Sequence, residues 1–224
     1  VGLEAEHYSV RGVRAERAAV NEKAKAGNGA GRQSARGGKI DSEVEGEAKI
    51  RAAAEHGYSY GLHTSGGAAG PAETSLKAGK IDISAANTTS GSSRTAGVYN
   101  LRSTTTLEAD EISITAKGPL NAWGVHSQGS PDGKGVFIDA GATGSVFVKA
   151  ETESGTAYGI QADDEKVFVE GKDVTVQAFT ETGKAYGLDG GSLKGETVSL
   201  AAQRSDQNYI AASNNGQGVI YGVN

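Results

Sequence analysis

The chain of 224 residues contains no cysteine and no methionine. It has only 3 prolines and 1 tryptophan, and aromatic residues make up just 6% of it. Without cysteine there is no disulfide scaffold, no thiolate zinc site, no iron–sulfur cluster and no cysteine nucleophile. With so little proline the chain is neither a collagen nor a Pro-rich linker. So few rings mean a core built of small aliphatics, which calls for a narrow or layered cross-section. No stretch of 18 apolar residues occurs, so no membrane helix is expected. No leader pattern opens the chain, and with Val1 first it reads as a mature segment or a fragment. Positive charge is scarce as well: the formal net charge is −5, and the excess of acid lies beyond residue 57. An acidic body without a basic, aromatic-interleaved patch argues against a nucleic-acid partner. No cofactor is expected.

What the chain has in abundance is glycine, 34 residues of it, and part of that glycine is periodic. A tripeptide of any residue, glycine and, with one exception, an aliphatic recurs as Val1-Gly2-Leu3, Ala30-Gly31-Arg32, Tyr60-Gly61-Leu62, Ala96-Gly97-Val98, Trp123-Gly124-Val125, Tyr158-Gly159-Ile160, Tyr186-Gly187-Leu188 and Tyr221-Gly222-Val223. Eight anchors bound seven units of about 31 residues each. A tighter pattern lies inside the units. Leu76, Ile81, Ile83 and Ala85 stand at offsets 0, 5, 7 and 9, and so do Leu107, Ile112, Ile114 and Ala116; Val169, Val174, Val176 and Ala178; and Leu193, Val198, Leu200 and Ala202. A looser version in the first unit uses Tyr8, Val13 and Ala15. The second unit drifts by about one residue, with Val44, Ile50 and Ala52. The fifth carries an insertion, with Phe137 and Ile138 ahead of Val146, Val148 and Ala150.

Short period-2 alternation rich in Val and Ile means strands. One such unit cannot bury its single apolar row, whereas stacked units close a continuous core with each strand parallel to its equivalent next door. The expected fold is all-β: a parallel β-helix (β-solenoid) of about seven coils with three strands per coil, forming one segment over 1–224. A β-propeller fits less well, because its blades need ~40–45 residues. In each anchor the first and third residues are expected to point inward, so that Trp123, Tyr158 and Tyr186 form an internal aromatic ladder. The Ala/Glu/Lys-rich stretch Glu16–Ala26 is a candidate helical insertion or cap. Unit-length differences place inserted loops near 63–75, 126–135 and 203–218. The last of these could instead add a strand or cover the end of the stack.

These repeated coils, the glycine corners, the absence of cysteine and the Thr/Ser/Asn/Gly surface resemble the passenger region of bacterial autotransporter adhesins, a type V secretion family. The resemblance implies a right-handed β-helix and an extracellular location, secreted or on the bacterial cell surface. It implies attachment to the outer membrane through a β-barrel that has no counterpart in this chain. It also implies adhesion to a host or neighbouring-cell surface, protein or glycan, or self-association. An unfolded passage through an oxidising compartment would give the missing cysteines a physical reason.

The other class to weigh is a carbohydrate-active β-helix enzyme, a polysaccharide lyase or hydrolase. Such chemistry needs carboxylates gathered on one outer face, roughly 5–9.5 Å apart for glycoside hydrolysis. Asp82, Glu111 and Asp173 lie near the outward side of the second strand, but the positions equivalent to Asp82 are Ser113, Phe147, Thr175 and Ser199, so no acidic stack is expected there. The run Asp163-Asp164-Glu165 reads as a solvated loop with a calcium ligand as the sharper alternative. Of His7, His56, His63 and His126, the last two follow anchors two coils apart with Tyr99 between them. They are expected to be exposed and neutral rather than metal ligands. No G-x-S-x-G elbow occurs. Gly27–Gly31 lacks the lysine and βαβ setting of a phosphate loop. The Asn87-Thr88-Thr89 sequon is weak, and Thr104–Thr106 is not repeated in neighbouring coils as a flat ice-binding face would require. The sequence thus assigns no catalytic, cofactor or metal residue and favours an adhesive or structural rod, with the enzyme as the alternative.

Overall fold

A computed structural model describes residues 2–6, 21–25, 29–35, 39–55, 57–66, 71–88, 94–129, 134–163, 166–205 and 210–223, with side chains from Asp41 to Ser205 within those ranges. Its strands are β1 (Gly2–Glu6), β2 (Asn21–Lys25), β3 (Gly29–Ala35), β4 (Lys39–Ala54), β5 (Tyr58–Ser65), β6 (Glu73–Asn87), β7 (Arg94–Leu101), β8 (Thr104–Glu108), β9 (Glu111–Gly118), β10 (Asn121–Gln128), β11 (Gly135–Asp139), β12 (Ser145–Thr152), β13 (Thr156–Ala162), β14 (Val167–Glu170), β15 (Asp173–Thr180), β16 (Lys184–Arg204) and β17 (Ile210–Val223). No helix occurs among the described residues.

The chain winds as a parallel β-solenoid with three faces per turn. The first face stacks β3, β5, β7, β10, β13 and the start of β16 in parallel. The second stacks the first parts of β4 and β6, then β8, β11, β14 and the middle of β16. The third stacks the later parts of β4 and β6, then β9, β12, β15 and the end of β16. Four turns, spanning 58–87, 94–118, 121–152 and 156–180, lie between a first turn of β3 and β4 and a last turn within β16. At ~4.8 Å per strand the stack is about 24 Å long.

The expected seven coils are therefore too many, because the outermost anchors do not join the stack. β1, which contains Gly2-Leu3, pairs with β2 in a separate two-stranded sheet. β17, which contains Tyr221-Gly222-Val223, runs antiparallel along β16 and adds no turn. An anchor tripeptide marks a turn only where the chain continues in the same direction; after β16 it reverses. Residues 21–25, part of the stretch named as a candidate helical insertion or cap, form a strand. Residues 7–20, including Tyr8, Val13 and Ala15, lie outside the described residues.

The offset pattern gives the interior directly. Leu76, Leu107, Ile138, Val169 and Leu193 pair in register, and so do Ile83, Ile114, Val148, Val176 and Leu200. All ten are essentially buried and belong to one core. The insertion in the fifth unit thus leaves the Leu slot to Ile138. The alanines at offset 9 have their own role: Ala116, Ala150 and Ala178 pack against Ala122, Ala157 and Ala185 of the first face, where two faces converge and only small side chains fit. The one-residue drift around Val44 is absorbed by a bulge between Val44 and Glu47. Gly46 sits there at φ +93, a conformation that costs glycine little.

Candidate functional site

The outer surface of the first face is set by the anchor glycines. At Gly61, Gly97, Gly124, Gly159 and Gly187 strand pairing is continuous on both sides but absent at the glycine itself. Gly61 and the following Leu62 are both buried, so alternation slips there by one residue. A methyl group on each of these glycines would run into the inward side chain of the third face: Ile83, Ile114, Val148, Val176 and Leu200 respectively. Glycine lets the first face dip inward until it touches the third, and the outside becomes a longitudinal groove.

The ring contacts show how concave that groove is. Tyr60 and His63 are three residues apart on one strand, about 10 Å in an extended chain, yet their ring centroids lie 5.1 Å apart. Trp123 and His126 also meet at 5.1 Å. One bank carries Tyr60, Ala96, Trp123, Tyr158 and Tyr186; the other carries His63, Tyr99, His126, Gln161 and Asp189. Rings stack along the groove at 6.1 Å for Trp123–Tyr158 and 5.0 Å for Tyr158–Tyr186. Opposite the small Ala96, Tyr99 leans across to stack on Tyr60 at 4.8 Å.

The aromatic ladder exists, therefore, but on the outside, as a cluster separate from the main core. The inward assignment of Tyr158 is corrected, while that of Ile160 holds. Polar atoms in the groove bond to one another: Trp123 Nε1 donates to Gln161 Oε1 at 2.5 Å, Gln161 Nε2 to Asp189 Oδ2 at 3.3 Å, and Tyr99 Oη to Gln128 Oε1 at 3.1 Å.

The histidines follow from the same geometry. His63, Tyr99 and His126 occupy successive turns, with Tyr99 between the two histidines as the spacing required. They are not exposed, contrary to expectation: His126 is 6% accessible, and burial among rings holds the His63 imidazole down at about pKa 4. Burial also raises the phenol pKa values of Tyr60, Tyr99 and Tyr158. His126 Nε2 lies 3.6 Å from Asp163 Oδ2. His7, His56, Asp164 and Glu165 lie outside the described residues.

The three carboxylates singled out on the third face do not come together. Asp82 faces Arg51 at 3.7 Å, and Glu111 faces Lys80 at 2.6 Å. Asp173 is two turns from Glu111 in the same row, with Ser145 between. The row expected through Asp82 runs as read, through Ser113, Phe147, Thr175 and Ser199. A carboxylate row does form on the second face, where the sequence reading found none. Glu108, Asp139 and Glu170 occupy one register position on three consecutive turns, bracketed by Lys77 and Lys194. Lys77 lies 4.0 Å from Glu108 and Lys194 2.6 Å from Glu170, while Asp139 accepts a 2.7 Å bond from Gly141 N. Reading the residue after each offset-0 aliphatic would have found it.

Other motifs resolve into structure. Asn87 is buried and donates through Nδ2 to Gly57 O at 2.7 Å, so the folded chain does not present it for glycosylation. Thr105 points inward between outward Thr104 and Thr106, and bonds Thr64 and Asn100 in a buried network with Ser103. Of the expected insertions, 63–65, 73–75, 126–128, 135, 203–204 and 210–218 lie in strands, and 67–70, 130–133 and 206–209 lie outside the described residues. Among the described residues no group of three His, Cys, Asp or Glu could hold a metal ion. No family model, curated protein or solved structure matches the chain.

Proposed function

We propose that this chain is a rigid rod segment of an extracellular bacterial surface protein, an adhesin passenger of the autotransporter kind, acting by attachment or self-association. In this reading it stands outside the cell, joined to the outer membrane through a barrel carried elsewhere, and its partners are molecules of a host or neighbouring-cell surface. The observation that carries the reading is the register of the inner columns, unbroken from β6 to β16, which sets the outer residues in straight rows along the axis. Opposite charges face one another between turns in these rows, as in Lys80–Glu111 and Lys194–Glu170, so the wall is built as a regular surface. The test is binding of beads coated with the purified chain to bacterial and animal cells, with sedimentation of the chain to measure self-association. Adhesion or self-association supports the reading, and the lack of both overturns it.

The row Glu108–Asp139–Glu170 favours a second reading, a polysaccharide lyase or hydrolase, since neighbouring turns set carboxylates about 4.8 Å apart. Turnover of a polysaccharide by the purified chain, lost in Asp139→Asn, would establish that reading in place of the first.

A further inference from the structure

The end of the stack at β16 is built differently from its walls. No parallel turn follows, yet the inner residues Leu188, Leu193 and Val198 are as buried as those of the middle turns. β17 stands in for a turn there: Val223, Ile220 and Ala212 lie opposite Leu188, Leu193 and Leu200. It follows β16 round the corner between the third and second faces. Residues 210–215 pair along the third face and 218–221 along the second, and Gly216 and Gln217 fill the break in register between them. Among the described residues β17 pairs with no strand but β16. In an antiparallel ladder, alternate backbone groups of such a strand point away from its one partner. Natural sheet edges are commonly blunted by charge. At the opposite end of the stack, β4 carries a charged residue at every second position from Lys39 to Arg51, and β2 packs beside β4 and β3. β17 carries no charged residue, and none occurs anywhere from Gln207 to Asn224.

We infer that the outer edge of β17 is a self-docking surface whose partner is the β17 of a second copy, paired antiparallel about a two-fold axis at the Gly216–Gln217 break. An axis there, perpendicular to the rod, exchanges the second and third faces. Residues 212–215 of each copy then run against 218–221 of the other, and two rods join end to end. Such a contact is isologous and closes both edges at once. A strand from a different protein would close only one edge of this chain and has no such symmetry to fix its register. No charge on β17 opposes its own copy. Asn214, Asn215 and Gln217 carry amides that both donate and accept, so identical edges complement one another. A head-to-tail contact would instead bring β17 to the end where β2 lies.

This inference rests on the self-association in the proposed function and names its surface. The experiment is sedimentation equilibrium of the purified chain and of Gln217→Lys and Gln217→Glu, singly and mixed. Position 217 pairs with no residue of β16, so these variants leave the β16–β17 pairing intact, and an unchanged circular dichroism spectrum checks that. The parent is expected as a dimer of two 22.8 kDa chains. Each variant sets like charge beside like charge across the axis and should weaken dimerisation about tenfold or more at low salt. An equimolar mixture sets opposite charges there and should restore it. A monomeric parent overturns the inference. So does association that neither variant weakens, a mixture no stronger than the single variants, or growth into open chains, the mark of head-to-tail contact. Cell adhesion by a chain that stays monomeric would overturn the dimer and leave the adhesive reading standing, whereas a chain that neither adheres nor associates overturns both.

Discussion

Gly61→Ala tests the close approach on which the outer groove depends. The added methyl would stand 2.5 Å from Ile83 Cγ2 and 2.7 Å from the carbonyl oxygen of Gly97, with Ser84 O at 3.3 Å. Carbon atoms in a packed interior rest at about 3.5–4.0 Å, so the first two contacts are short by about 1 Å. Neither partner can yield easily. Ile83 is fully buried, and Gly97 O belongs to the backbone of the next turn. Relief requires the first face to lift from the third, which opens packing on both sides. Overpacking of this kind costs typically 1–3 kcal/mol, and the two fixed partners place Gly61→Ala at the upper end, about 3 kcal/mol. For a chain of this size that lowers Tm by about 6–12 °C. Gly46→Ala is the contrast. Nothing lies within 4 Å of the added methyl, but φ is +93, so it suffers backbone strain alone, of about 1 kcal/mol.

A double-mutant cycle separates the two contacts. Ile83→Ala alone leaves a cavity and costs about 2–5 kcal/mol. In the double variant the alanine methyl at 61 moves into that cavity, so the combined loss should fall short of the sum by about 1 kcal/mol or more. The part that persists belongs to Gly97 O. Thermal and urea unfolding followed by circular dichroism give all four values. A Gly61→Ala protein that melts with the parent, or strictly additive losses, would refute the close approach as the reason for glycine.

Three further outcomes are expected. Ile114→Asp buries an unpaired charge in the main core and should cost several kcal/mol, seen as a collapse of the unfolding midpoint; an unchanged curve contradicts the inward assignment. Asn100→Ala removes the acceptor of the Ser103 and Thr105 hydroxyls, bonded at 2.8 and 3.1 Å, and should cost about 1–3 kcal/mol in urea titrations, whereas Thr104→Ala on the outer side should change little. His63 titrates near 6.5 when unfolded and about 4 when folded, so between those values the unfolded chain takes up a proton that the folded chain refuses; stability is full above pH 6.5 and falls on acidification by about 3 kcal/mol in total by pH 4, and His63→Tyr should flatten that part of the curve, so parallel pH profiles for the two proteins would contradict the burial of the ring.

The interior of the fold was legible because two physical regularities coincide in it. Strand alternation places every second residue inside, and a corner of fixed length separates Leu76 from Ile81 just as it separates Leu107 from Ile112. Wherever both hold, the register follows from counting, and Ile83, Ile114, Val148, Val176 and Leu200 fall into one column. Counting fails at the anchors for a definite reason. Gly61 and Leu62 both face the interior, so period-2 extrapolation across the glycine inverts everything on one side of it. Leu62 was placed correctly inside, but the tyrosine before the glycine was placed inside as well. His63, beyond it, was taken as exposed because nothing in a linear pattern says that the backbone bends to bring it within 5.1 Å of Tyr60. The carboxylates of the second face lie off the strand with the clearest alternation: Glu108, Asp139 and Glu170 stand one residue after the offset-0 aliphatic, on strands too short for alternation to mark their outer side.

The two outer surfaces therefore differ in kind, and the difference bears on function. The groove of the first face is concave because glycine removes the side chain that would hold the faces apart. It fills itself with its own rings, and Trp123 bonds to Gln161 and Gln161 to Asp189 within it. Its rings add to cohesion between turns, as a second, external core. The second face is not filled in this way. Phe168 is 43% accessible, and the neighbouring Glu170–Lys194 pair is itself exposed. A rod that holds itself together through one outer face can leave another free for recognition. The residues on that free face can vary without disturbing the stack, because none of them contributes to the columns that set the register.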